Sequence, residues 1–319
     1  MTSPPASVRE GAESPVPQGL LLAFAAYALW GLLPLYFLLL SPAGPIEIVA
    51  WRVVFSLLFC LLLVAVTRSW GKLRAALQSR RVLALSGLAA AFISVNWLVY
   101  VFATFSGHVV EASLGYFINP VVTIFLGVLV LRERLRPLQW VAIGVSIAAI
   151  VVLAVGYGSV PWISLALAFS FGFYGLIKNR VGGALDAVSG LTIETAWLVI
   201  PALIVVVVLA GAGDLVFGSS SAFTTGMLAL AGVITAVPLL LFGAAARRLP
   251  LTLIGFMQYL APIMQLIIAV AVLHEPMPLE RWIGFGLVWL ALAILSAEVL
   301  LRNRTRRARA GTMAPPEPA

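Results

Sequence analysis

Apolar residues run along this chain in long, nearly unbroken blocks, and polar residues gather in the short intervals between them. A helix that crosses a bilayer needs about 20 mostly apolar residues. Ten blocks meet that length: 18–40, 46–67, 82–104, 111–131, 138–156, 161–177, 188–210, 223–246, 251–273 and 279–301. Pro, Gly and Ser mark the breaks, as in Ser41-Pro42-Ala43-Gly44-Pro45 and Gly156-Tyr157-Gly158-Ser159. Barrel strands would alternate apolar and polar positions over about 10 residues, and these blocks do not. The pattern predicts an all-α polytopic membrane protein with ten transmembrane helices. Residues 1–17 and 303–319, rich in Pro, Ser, Ala and Arg, read as disordered tails, the second of them basic. The first block follows Glu10 and Glu13, has no convincing cleavage site, and reads as an uncleaved span.

Composition agrees with this picture. Of 319 residues, 62% are hydrophobic and 10% charged, where soluble domains carry about 25% charged residues. The net charge of +8 would suggest nucleic acid in a soluble chain, but its placement argues otherwise. Arg9, the Arg68–Arg81 interval, Arg132, Arg134, Arg136, Lys178, Arg180, Arg247, Arg248 and the Arg302–Arg309 tail all fall on one side of a ten-span chain. The opposite intervals carry no Lys or Arg, and the two remaining cations, Arg52 and Arg281, lie inside the starts of spans 2 and 10. The positive-inside rule then puts both termini in the cytoplasm, with the lipid bilayer as the surrounding partner and no nucleic acid. The lone Cys60 excludes a disulfide framework and a multi-cysteine metal site. No phosphate-binding loop, zinc-protease helix or nucleophile elbow is present, so no catalytic residue, metal or cofactor is expected.

The chain also resembles itself. A shift of 142 residues lays Pro120 on Pro262, Glu133 on Glu275, Trp140 on Trp282 and Gly144 on Gly286. A weaker match at 144 lays Tyr27, Trp30, Gly31 and Leu32 on Phe171, Tyr174, Gly175 and Leu176. Residues 18–156 and 161–301 thus read as two five-span units. Five is odd, so the second unit enters the membrane inverted. Inverted repeats are common in secondary transporters, whose binding site lies near the midplane between the units.

Polar groups inside spans face protein or a wet cavity. Tyr116, Asn119 and Thr123 share one face of span 4, and the repeat maps Tyr116 and Thr123 onto Gln258 and Gln265 of span 9. Each stripe lies beside a mid-span proline, which frees a backbone carbonyl. Asn96, Tyr100 and Thr104 recur at intervals of four on span 3, with Trp97 adjacent, and spans 1 and 6 add Tyr27, Trp30 and Tyr174. Trp30, Asn96, Trp97, Tyr100, Tyr116, Asn119, Tyr174, Gln258, Tyr259 and Gln265 are therefore candidates to line a site for a small-molecule solute. Interhelical hydrogen bonding explains the polar members equally well. Arg52 and Glu194 are the candidates for charge recognition or coupling. Glu47 and Arg52, five residues apart, each need a partner on another span. Glu194 has a competing structural partner in Lys178 or Arg180, and Lys178 alone would snorkel to the interface. Glu111 suits the start of its helix, Glu133 and Glu275 read as turn residues, and Gly144 and Gly286 predict close helix contact or a homodimer-facing surface.

Three strings, Glu111–Pro120, Phe169–Lys178 and Asn96-Trp97, resemble RarD-type proteins of the EamA group in the drug/metabolite transporter superfamily. The resemblance covers about 18–301. It implies ten spans from two EamA repeats, a plasma-membrane location and export of a small organic metabolite or drug by a permease without enzymatic activity. Two other readings compete. A non-transporting scaffold or sensor predicts a dry core between the halves. A membrane enzyme needs paired acids or a nucleophile and base at one depth, which the acids here do not supply.

Overall fold

The computed structural model describes the backbone of residues 15–131, 135, 137–181, 185–246, 248, 249 and 251–312. The described residues are helical, with no strand among them. In chain order the helices are α1 (Pro15–Gly31), α2 (Leu33–Leu38), α3 (Pro45–Val66), α4 (Trp70–Gln78), α5 (Arg80–Phe105), α6 (Val109–Leu131), α7 (Pro137–Tyr157), α8 (Trp162–Val181), α9 (Ala187–Ala212), α10 (Ala222–Ala246), α11 (Leu251–Met257), α12 (Leu260–Ile267) and α13 (Leu279–Thr312). A π turn, Ile268–Val272, extends α12. Eight segments are long and apolar enough to cross a membrane, with α11, α12 and the π turn counting as one. The protein is thus a polytopic membrane protein. The other two expected spans are the α1–α2 pair and α8, both packed into the bundle. The 17-residue α1 stops at Gly31, and α8 ends in Lys178, Asn179 and Arg180.

Helix pairing follows a reciprocal scheme. α3 packs on α9, and α7 on α13. α5 and α6 both pack on α8, as α10 and α12 both pack on α1. α3 meets α10 as α5 meets α9. Small residues allow the closest approaches. A Cβ on Gly115 would lie 2.7 Å from the Ser164 carbonyl oxygen, and one on Gly232 would run into the Phe55 backbone. Backbone contact of this kind is how helices associate where lipid removes the hydrophobic drive between them.

Several expectations change at this level. Gly144 and Gly286 make no close contact, because both lie on exposed helix faces. The α7–α13 approach is made instead at Gly284, whose Cβ would meet Leu153 at 2.5 Å. The basic tail expected to be disordered from 303 continues α13 to Thr312, in keeping with the high helix propensity of Arg and Ala. At the other end α1 starts at Pro15, inside the expected 1–17 tail. The interval after α3 contains the short α4. Spans 1 and 9 are each two helices. Pro34 and Pro262 lack an N–H for the carbonyls of Trp30 and Gln258, four residues earlier, and the breaks fall at Leu32 and at Gln258–Tyr259. Glu133, Arg132, Arg134, Arg136, Arg247 and the remaining tail residues lie outside the described residues.

Candidate functional site

Arg52 sits two turns into α3 and is 6% exposed. Its Nε donates to Thr235 Oγ1 of α10 at 2.8 Å. Its guanidinium carbon lies 4.3 Å from the Trp97 ring centre and 5.7 Å from that of Phe37. Tyr36 and Tyr100 pack against Phe37 with ring centres 5.5 and 6.0 Å away, and Tyr116 lies 5.7 Å from Tyr100. Beside this cation, Tyr116 Oη donates to Asn96 Oδ1 at 3.0 Å, and Asn96 Nδ2 donates to the Leu167 carbonyl and to Ser170 Oγ of α8. Asn96 is thus fully committed to joining α5, α6 and α8. Among the described residues the buried Tyr100 hydroxyl has no partner, and neither does Asn119 Oδ1.

From this cluster a file of rings runs toward the basic end of α8. Phe37, Tyr100, Tyr116, Phe171 and Tyr174 follow one another with centroids 6.0, 5.7, 6.0 and 5.9 Å apart. It ends at Glu194, 1% exposed, which accepts from Lys178 Nζ at 2.7 Å and from Tyr174 Oη at 3.1 Å. Lys178 therefore pairs with Glu194 and does not snorkel. Both carboxylate oxygens need donors at this depth, and the ammonium and the phenol supply one each.

The remaining candidates form a second region. Gln265 Nε2 of α12 donates at 3.2 Å to the Trp30 carbonyl that Pro34 leaves without an intrahelical donor, while Gln265 Oε1 is buried with no partner among the described residues. Trp30 packs edge-on to Tyr27, with Phe242 of α10 beside both. Gln258 and Tyr259 occupy the break in span 9. A cavity of about 670 Å³ opens beside that break, lined by residues such as Phe117, Ile263, Trp282, Trp289 and Ser296. Among the candidates only Tyr259 lines it. Thr123, expected to extend the polar stripe of α6, is exposed.

Three acids join distant segments at one end of the bundle. Glu47 accepts from the Val216 and Phe217 amides between α9 and α10. Glu111 accepts from Ile163 N, and its own carbonyl accepts from Ser164 Oγ at 2.6 Å. Glu275 accepts from Val109 N and Val110 N at 2.7 and 2.8 Å. It therefore caps α6, 165 residues away, where a turn role was expected. Glu111 likewise serves the first turn of α8, a neighbour of its own helix. Sequence reasoning missed Tyr36, Phe37 and Thr235. Thr235 carried a signal, a hydroxyl inside an apolar run, but its partner lies 183 residues away.

The EamA-like transporter family model matches residues 17–155. Protein RarD of Streptomyces exfoliatus is 49% identical over 95% of this chain and 96% of its own length. Protein RarD of Escherichia coli is 39% identical, covering 90% and 96%. An "Uncharacterized transporter PA0485" of Pseudomonas aeruginosa is 43% identical, covering 88% and 93%. A solved crystal structure of a protein 18% identical in sequence matches with a TM-score of 0.57 over 91% of this chain and 99% of that one, a likeness of fold. With Asn96, the α6 strip from Glu111 to Pro120 and the α8 strip from Phe169 to Lys178 all packed into one junction, and with whole-length relatives at these identities, the chain belongs to the RarD-type proteins of the EamA-like transporter family.

Proposed function

We propose that this protein is a secondary transporter that exports a small organic solute across the plasma membrane by alternating access. In this reading it has ten spans in two inverted five-helix units, 18–156 and 161–301, with both termini in the cytoplasm. The observation that carries the proposal is the pair of broken spans, α1–α2 and α11–α12. They are tied across the two halves by the Gln265–Trp30 hydrogen bond. Discontinuous spans with freed carbonyls are where transporters of this design hold solute. Reciprocal helix pairing and the shift of 142 support the two units, and the placement of Lys and Arg supports the orientation. Glu47, Glu111 and Glu275 each bind backbone of the opposite half at what is then the outer end. This makes the described conformation closed to the outside. Arg52, Trp97, Tyr100, Tyr116 and Asn119 form the solute site, with Trp30, Gln258, Tyr259 and Gln265 at the moving junction. Tyr174 and Glu194 lie toward the inner end, where Glu194 couples movement to charge.

Flux of a panel of labelled solutes in proteoliposomes, with and without a pH gradient, tests the reading. At least one solute should accumulate, Asn119→Ala should reduce its flux about tenfold, and Glu194→Gln should abolish the response to the gradient. A panel that no preparation moves overturns transport. A mobile solute indifferent to both substitutions overturns the site.

A further inference from the structure

Arg52 is a buried cation on α3. A cation buried among membrane helices is costly unless it is paired and hydrogen-bonded. No carboxylate of a described residue lies within ion-pair distance of it, and the acids of α3, α6 and α9 are committed elsewhere. Both oxygens of Glu47, one and a half turns away, hold the Val216 and Phe217 amides. Glu111 holds Ile163 N, and Glu194 holds Lys178 and Tyr174. Thr235 takes only the Nε proton, and no described residue accepts from either terminal nitrogen. Trp97 and Phe37 stabilise the charge through their ring faces without neutralising it. Tyr100, whose ring lies 6.0 Å from that of Phe37 in the same cluster, has a buried hydroxyl with no partner among the described residues, a second donor.

We infer that the Arg52 cluster is an organic-anion site, at which a carboxylate of the solute takes the free edge of the guanidinium and the Tyr100 hydroxyl while an apolar body lies along the rings. This rests on the transport reading for its physiological meaning, but the binding chemistry stands by itself. A guanidinium offers two parallel N–H donors in the spacing of a carboxylate, which an ammonium does not. Rings on two sides exclude water and strengthen that pairing. They also limit the partner to an anion with little other polarity. A solute whose only charge is positive would meet an uncompensated Arg52, and the site selects against it.

The test is equilibrium dialysis of the full chain in lipid nanodiscs against three probes with one scaffold: 4-phenylbutyrate, 4-phenylbutanol and 4-phenylbutylamine. The carboxylate should bind about tenfold or more tightly than the alcohol and the amine. Arg52→Gln should erase that preference, and Tyr100→Phe should reduce it. Should Arg52→Gln fail to assemble, Arg52→Lys decides: it keeps the charge and loses the fork, so the preference should fall. Equal binding of the three probes, no binding of any, or a preference that survives loss of the fork overturns the inference. Displacement of the carboxylate by equimolar chloride would reduce the site to one for inorganic ions and overturn it too. Flux of the same probes separates this inference from transport. Binding preference without flux sinks the transporter and leaves the anion site, and flux of all three alike does the reverse.

Discussion

α6 and the α11–α12 span carry a proline at the same position of the internal repeat, Pro120 and Pro262, and they respond to it differently. α6 runs from Val109 to Leu131 as one helix around Pro120. The other span breaks at Gln258–Tyr259 and finishes in a π turn. Both prolines remove one donor and crowd the carbonyl four residues before. The difference lies in what surrounds them. α6 is held at its first turn by Glu275, lies against α8 at Gly115, and buries Phe117, Ile118, Val121, Val122 and Leu126. Phe256, Ile263 and Ile267 of the other span are exposed beside the 670 Å³ cavity. A proline therefore permits a break, and packing determines whether the helix takes it.

Four substitutions test this contrast. The largest effect is expected from Gly115→Val. Its branched side chain must enter the Ser164 backbone, and overpacking of this kind costs about 1–3 kcal/mol or more. Gly255→Val in α11, where the added carbon meets open space, should change stability by about 0.5 kcal/mol or less. Thermal unfolding in one detergent compares the two, and equal losses would mean that α6 is not the tighter span. Next comes Glu275→Ala, which strands two amides at the start of α6 and should cost about 1–3 kcal/mol. Glu280→Ala, at an exposed position nearby, is the control and should leave the midpoint where it is.

Gln265→Leu removes the donor to the Trp30 carbonyl. A loss of about 0.6–2 kcal/mol is expected, with faster exchange of the amides around Leu32. No change in that exchange would mean the two breaks are independent. The smallest effect belongs to Pro262→Ala. Stability should shift by under about 1 kcal/mol, but the restored N–H lets the Gln258 carbonyl rejoin a helix. Hydrogen exchange at 258–262 should slow, whereas Pro120→Ala should leave the α6 pattern as it is. Equal responses at both prolines would remove the contrast.

Much of the candidate site was legible as residue type and depth. Asn96, Tyr100, Tyr116, Asn119 and Gln265 stood out because a polar group inside an apolar block needs a partner. What could not be read was which partner. Asn96 serves as an interhelical brace, Gln265 supplies a donor to a carbonyl on α1, Glu111 serves α8 from the start of α6, and Glu275 caps α6 from a turn. The paired glycines show the same limit from the other side. Gly144 and Gly286 keep register in sequence yet face away from every neighbour, and Gly284, two residues off, makes the contact.

The order of apolar and polar residues dictates that this chain lives in a bilayer as a set of apolar helices, because backbone groups in lipid must be satisfied within the segment that carries them. It also marked where helices are able to break, since a missing N–H is a property of proline alone. Tertiary packing alone settled which breaks are taken, which acid caps which helix, and that Arg52 lies among rings with no carboxylate of a described residue beside it. Those outcomes depend on pairings across as many as 235 residues. The pattern of one helix carries no information about the face its neighbour turns toward it.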